Sequence, residues 1–344
     1  MEHRSERLQR NQANPAYVST GHLPTPSRVQ RLVDEAYARF KDNDEGTNAQ
    51  HYPALARAPR HTFGLCVADV AGACYTAGDA DHPFTLMSVC KPFTFALVCQ
   101  ALGAEEVRAK VGLNATGLPF NSVMAIELNA QRLTNPMVNS GALAVASLAP
   151  GATLAAKWEF IHEGLSRFAG RRLELDEETY LSATGSNHRN RAISRLLHDY
   201  RRLYFDPAET TDLYTRQCCL NASARDLAIM AATLADGGVN PITRERVVDA
   251  VHCDHALVVM ATAGMYETSG DWLFDLGVPG KSGVSGGVIA VAPGKGALGA
   301  FAPPLDAAGN SVRGQLAARF LSNQLGMNLF ASKPAIQRAA ATPS

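Results

Sequence analysis

The chain has no charge excess, with 32 basic and 32 acidic residues, which argues against a nucleic acid or an anionic membrane as its partner. Residues 1–27 are polar and proline-dotted and lack an apolar core, so they are expected to form a loose tail, neither a signal peptide nor a membrane anchor. None of the seven cysteines stands in C-x-x-C spacing, and the count is odd. Cys66, Cys74, Cys90, Cys99, Cys218, Cys219 and Cys253 are therefore expected to be reduced, mostly buried thiols in a cytoplasmic protein.

Several familiar fingerprints lack a necessary part. No histidine follows His255, so Gly283-Val284-Ser285-Gly286-Gly287 cannot be an esterase elbow, which needs an acid and then a histidine downstream. Gly294-Lys295-Gly296-Ala297-Leu298-Gly299 has the glycine spacing of a dinucleotide loop. It lies between two strand-like runs where a helix would be required, and reads as a hairpin turn. Gly280-Lys281-Ser282 resembles the end of a phosphate loop whose first glycine would fall at Asp275. His252-Cys253-Asp254-His255 lacks a third or fourth metal ligand at a recognisable spacing. No cofactor and no metal is expected.

What the chain does contain is Ser88-Val89-Cys90-Lys91 directly after an apparent strand-to-helix turn. Positions three apart share a helix face, so the Ser88 hydroxyl and the Lys91 amine could come within hydrogen-bond reach. A serine is a weak nucleophile at neutral pH, and an adjacent amine kept neutral by burial can take its proton. Met87, Phe84, Phe93 and Phe95 would supply that burial. Cys90 would point about 160° to 200° away from Ser88 on a helix. Late in the chain, Lys281-Ser282-Gly283 precedes the strand-like run Val284–Val291. Together the two motifs match the order of the penicillin-recognising serine enzymes. The small residue and the glycine after the lysine let a substrate approach backbone N–H groups able to hold an oxyanion.

Phe63–Ala68 and Ala73–Thr76 read as a hairpin around Asp69–Gly72, and the other convincing strands lie between residues 286 and 303. Between them, helical patterns cover Lys91–Leu102, Gly141–Leu148, Leu154–Phe168, Arg189–Leu203, Ala224–Leu234 and Arg244–Val251. Ser223 and Asp226 form a capping pair, Gly237-Gly238 a stop, and Thr243 a cap for the next helix. Ser311–Leu325 closes the chain as an amphipathic helix. The expected fold is α/β (α+β): an antiparallel sheet with flanking helices (28–84 and 262–330), an all-helical domain (85–261), and flexible tails at 1–27 and 331–344.

Further blocks stand in order: Pro119-Phe120-Asn121-Ser122, Asn135-Pro136-Met137-Val138-Asn139-Ser140-Gly141-Ala142, Arg189-Asn190-Arg191-Ala192, Gln217-Cys218, Asp226-Leu227-Ala228, Leu234–Ile242, Met265-Tyr266 and Pro303-Pro304-Leu305-Asp306. With Ser88–Lys91 and Lys281–Val284, the chain from about Phe63 to Leu325 resembles the serine-dependent glutaminases, which share the β-lactamase-like, penicillin-binding-protein-like fold. The resemblance implies Ser88 as acylated nucleophile and Lys91 as its base, with Tyr214 or Tyr266 helping to move protons. It also implies Asn139 and Asn190 as substrate contacts, and Val284, with Ser88, as the backbone donors of an oxyanion hole. By residue pattern alone, the tyrosines read equally as core residues with a hydrogen-bonded tip and the asparagines as caps or turn residues. The implied reaction is hydrolysis of the side-chain amide of L-glutamine to L-glutamate and ammonia through an acyl-enzyme. The implied assembly is a cytoplasmic homo-oligomer, dimer or tetramer, acting on a small molecule.

The resemblance breaks within Ser182–Asn190, where Ala183 stands at the position at which the family carries a glutamate. Met87, Asn114, Leu118 and Glu267 are lesser departures. One reading keeps glutaminase activity, with Glu177, Glu178 or Glu267 covering for the missing acid. A second is a same-mechanism amide hydrolase or acyl transferase acting on a carboxamide that lacks a free α-amine, in a specialised pathway. A third, a binding protein without turnover, is disfavoured by the intact Ser88, Lys91, Tyr214, Tyr266 and Lys281.

Overall fold

The computed structural model describes residues 21–50 and 52–331. The expected loose tails fall mainly outside these residues, except that Pro26 already opens a helix. The chain runs through α1 (Pro26–Phe40), α2 (Pro53–Ala56), β1 (Gly64–Asp69), β2 (Cys74–Gly78), β3 (Phe84–Thr85) and, after one 3₁₀ turn (Met87–Cys90), α3 (Lys91–Leu102). It continues as α4 (Ala104–Val111), α5 (Met124–Glu127), α6 (Asn139–Ser147), α7 (Leu154–Ala169), β4 (Glu174–Leu175), α8 (Glu177–Ser186), α9 (His188–Asp199) and α10 (Pro207–Cys218). Then come β5 (Leu220–Ala222), α11 (Ala224–Ala235), α12 (Ala250–Ala263), a second 3₁₀ turn (Tyr266–Thr268), α13 (Ser269–Leu276), β6 (Gly280–Ser282), β7 (Gly287–Ala292), β8 (Gly296–Phe301) and α14 (Val312–Leu325). Among the described residues no helix is long and apolar enough to cross a membrane.

The first and last strands share one antiparallel sheet, in the order β2-β1-β8-β7-β6. Every residue of β7 and β8 is buried, which explains why both read as continuous apolar runs without alternation. The alternation is still present in the packing, because successive side chains leave a strand on opposite faces. Leu65, Val67, Val288, Ala290, Leu298 and Ala300 join α1 and α14 in one core. Cys66, Ala68, Ile289, Val291, Ala297 and Phe301 join α11 and the helices beyond in the other.

The sheet and α11 approach closely because the residues between them are small. A Cβ at Gly299 would fall 2.5 Å from Ala228 N. Gly299→Val is therefore expected to destabilise the fold by about 1–3 kcal/mol through overpacking, seen as a lower urea midpoint with an unchanged m-value.

The expected hairpin, the helix Lys91–Leu102 and the Ser223/Asp226 capping box are all present. The helix expected over Arg244–Val251 is not. Asn240 accepts hydrogen bonds from the Ile242 and Thr243 N–H groups, Val239 pairs with Arg246, and Arg244 sits at φ 60°. Side-chain-to-backbone bonds of this kind compete with helix formation. The helix starts later, at Ala250 with Asp249 as its N-cap, so Thr243 caps nothing. It buries Cys253, Leu257 and Met260 while Val251 and Val258 are exposed, so apolar residues on several faces hide its period. The expected Arg189–Leu203 helix stops at Asp199, ahead of a left-handed Arg201. A second small sheet, β3-β5-β4, escaped the sequence pattern because its strands are two or three residues long. It holds the site, since Phe84 pairs with Ala222 and the Leu86 N–H donates to Leu220 O immediately before Ser88.

Candidate active site

Ser88 lies in the 3₁₀ turn between β3 and α3, and the whole turn is buried. Met87, just before it, has φ 46°, a left-handed conformation that costs a non-glycine residue about 1–3 kcal/mol and must be held by its surroundings. The β3–β5 pairing on one side and Pro92 in the first turn of α3 on the other supply the hold.

Lys91 is 1% exposed. Its Nζ donates to Asn139 Oδ1 at 2.8 Å and to Met137 O at 3.2 Å, and not to Ser88. The expected direct Ser88–Lys91 hydrogen bond is thus absent, because the amine is drawn to acceptors 46 and 48 residues away in sequence. Burial lowers the Lys91 pKa to about 8. A neutral amine has two N–H donors and one lone pair, so with both donors engaged the lone pair is what it has left to offer.

The group that does reach Ser88 is the Tyr266 hydroxyl, which also donates to Ser282 O at 3.2 Å. Tyr266 has φ 59°, a second strained backbone at the site, and its ring packs 4.8 Å from that of Phe120. Burial pushes its pKa up to about 12, so at neutral pH it is a proton donor. Beneath it lies Lys281, 0% exposed, with Nζ 4.1 Å from the Tyr266 ring centroid and donating to Ser282 O at 2.8 Å. Burial first, and then the charge of Lys91, hold the Lys281 pKa well below its ordinary value.

Tyr214 sits elsewhere in the network. Its hydroxyl donates to Asn139 Oδ1 at 3.2 Å, and Asn139 Nδ2 donates to Asn190 Oδ1 at 2.9 Å. Lys91, Asn139, Asn190 and Tyr214 are thus joined by hydrogen bonds across α3, α6, α9 and α10. Cys90 packs against Cys218, which in turn touches the Tyr214 hydroxyl at the edge of this network.

Val284 follows β6 in a turn closed by Gly283 N–H to Gly287 O and Gly286 N–H to Gly283 O. A Cβ at Gly283 would lie 2.8 Å from Leu86 O, so only glycine lets this turn rest against the segment that carries Ser88. Neither the Ser88 nor the Val284 N–H donates to another group among the described residues.

A pocket of about 770 Å³, including its open mouth, brings together Ser88, Asn139, Asn190, Tyr214 and Val284. Tyr52, Asn121 and Arg189 also line it. Nothing near Tyr52 in the sequence signalled that role, whereas Asn121 and Arg189 stood inside recognised blocks without being singled out. Ala183 faces the pocket, but Glu177, Glu178 and Glu267 are exposed and do not line it. Glu178 is paired with Arg57.

A sequence model of the glutaminase family matches residues 46–330. Glutaminase 2 of Yersinia pestis is 61% identical over 318 residues, covering 92% of this chain and 94% of that protein. A glutaminase of Colwellia psychrerythraea is 44% identical, over 89% of this chain and 99% of its own length. Among solved structures, the probable glutaminase ybaS superposes with a TM-score of 0.88 at 41% identity, covering 90% of this chain and 100% of that one. A Bacillus glutaminase superposes with a TM-score of 0.79 at 31% identity, covering 88% of this chain and 99% of that one.

Proposed function

The chain belongs to the glutaminase family and hydrolyses L-glutamine to L-glutamate and ammonia, and from that premise we propose that it does so through an acyl-enzyme on Ser88. Ser88 Oγ attacks the side-chain amide carbon while its proton passes to the Lys91 lone pair. The amide oxygen becomes an oxyanion facing the Ser88 and Val284 N–H groups. Donors of this type are worth about 3 kcal/mol each to the transition state. Collapse breaks the C–N bond, the nitrogen takes the proton that Lys91 received from Ser88 and leaves as ammonia, and a glutamyl ester remains on Ser88. Water then attacks the ester, giving its proton back through Lys91, and Ser88 leaves with a proton restored.

The observation that carries this reading is the pairing of a buried amine, with both neutral-state donors engaged, and a serine beside two unused backbone N–H groups. Added hydroxylamine should intercept the ester as γ-glutamyl hydroxamate, with ammonia still released. A complete absence of hydroxamate during turnover would count against the covalent intermediate.

The contact between Tyr266 and Ser88 supports Tyr266, rather than Tyr214, as the residue that relays protons. Tyr214 is read as positioning Asn139 and Asn190 for the substrate. Tyr266→Phe is expected to lower kcat about 10²-fold with KM nearly unchanged, as for loss of one general acid. An equal loss in Tyr214→Phe with none in Tyr266→Phe would reverse the assignment.

The proposal extends to two units, 28–84 with 262–330 and 85–261, with Ser88 at their junction. It also extends to a cytoplasmic homo-oligomer, dimer or tetramer. The seven unpaired cysteines, six of them buried, fit a reducing compartment.

A further inference from the structure

One wall of the pocket is built where α8 ends and α9 begins. Ala183 and Ser186 from α8, Asn187 at the break between the helices and Asn190 from α9 all line the cavity. None carries a charge. Among the described lining residues the one permanently charged side chain is Arg189, and none of them is a carboxylate. Nearby acids are committed elsewhere: Glu178 to Arg57, Asp212 to Arg216 and Tyr180, and Asp176 to the Thr179 N–H and Asn221.

An ammonium group brought into such a pocket would give up water for neutral dipoles, with the Arg189 guanidinium as the charged group of the described lining. A neutral amide meets a better match. Asn187 donates to Thr215 through Nδ2, which leaves its Oδ1 free to accept from an amide N–H. Asn190 accepts from Asn139 through Oδ1, which leaves its Nδ2 free to donate to a carbonyl or carboxylate oxygen. The wall runs from buried Ala183, Asn187 and Asn190 to exposed Ser186 and Arg189, so a group attached to the substrate nitrogen has a path to solvent.

We infer that this pocket takes primary γ-carboxamides whose α-nitrogen is acylated or absent, such as N-acyl-glutamine, at least as well as free L-glutamine. The inference rests on the Ser88 acyl-enzyme reading above. Arg189 and Asn190 Nδ2 hold the α-carboxylate, and Asn187 Oδ1 receives the acylated N–H.

The test measures ammonia release by the full-length protein from L-glutamine, N-acetyl-L-glutamine and 4-carbamoylbutanoate. The expected result is a kcat/KM for at least one of the last two that equals or exceeds that for L-glutamine. Ala183→Glu, which places a carboxylate in the wall, should shift the ratio toward L-glutamine by about tenfold or more. Ala183→Gln, of similar size without the charge, should not. A wild-type preference for L-glutamine over both other substrates by tenfold or more would overturn the inference and leave the mechanism intact. Turnover surviving in Ser88→Ala would overturn the mechanism instead, and no ammonia from any of the three would overturn both. Should Ala183→Glu fail to fold, the wild-type ratios decide alone.

Discussion

Ser88→Ala is expected to lower ammonia release from L-glutamine by about 10⁶-fold, the scale seen when a hydrolase loses its nucleophile. The loss should fall on kcat, because the substrate contacts attributed to Asn139 and Asn190, positioned by Tyr214, do not pass through the Ser88 hydroxyl. The fold should survive, since Ser88 Oγ anchors no backbone group and the turn is held by the Leu86–Leu220 hydrogen bond and the β3–β5 pairing. Circular dichroism matching the wild type would establish that, and hydroxamate formation should vanish together with ammonia release. Activity within about a hundredfold of the wild type would sink the assignment of Ser88.

The second large effect is at Lys91. Lys91→Met keeps the length of the side chain and removes the base, and kcat should fall about 10³-fold, within the range of general-base contributions. The pH profile is the sharper readout. Lys91 works as a base only when neutral, and its pKa is lowered to about 8 by burial. The wild-type kcat/KM should therefore fall tenfold per pH unit below about 8, and level off above it until Tyr266 ionises near 12. Lys281 is also held well below its ordinary value, by burial first and then by the charge of Lys91, so the two lysines do not both carry a full charge easily. In Lys91→Met the acid limb should disappear. A limb that persists unchanged would assign it to another group. The same shift bears on stability: between about 8 and 10.5 the unfolded lysine holds a proton that the folded one has released, so the unfolding free energy should rise with pH through that window.

The parts of this site that were legible in the sequence are those set by neighbouring residues. Ser88 and Lys91 stand one turn apart whatever else the chain does, and α3 begins at Lys91 with Pro92 in its first turn. Lys281-Ser282-Gly283 carries its own reason, because the glycine permits the close approach to Leu86 that the Val284 turn requires. Where local signals were mixed, as at Asn240–Val248, the helical periodicity misled, because asparagine side-chain bonds and a bridge between Val239 and Arg246 outcompete a helix that no cap begins.

Composition, hydrophobic period and short motifs were enough to determine the antiparallel sheet closed by the two ends of the chain, the one-turn spacing of Ser88 and Lys91 on which the proposed mechanism rests, and the family likeness. They act over a few residues, where spacing alone dictates which side chains share a face. Tertiary packing decided that Lys91 turns to Met137 and Asn139, that Tyr266 and not Tyr214 stands beside Ser88, that Tyr52 lines the pocket, and that among the described residues no acid lines the wall containing Ala183. Each of these depends on groups tens to hundreds of residues apart in the chain. Their distances, burial and lowered pKa values exist only once the sheet and the helices have enclosed them.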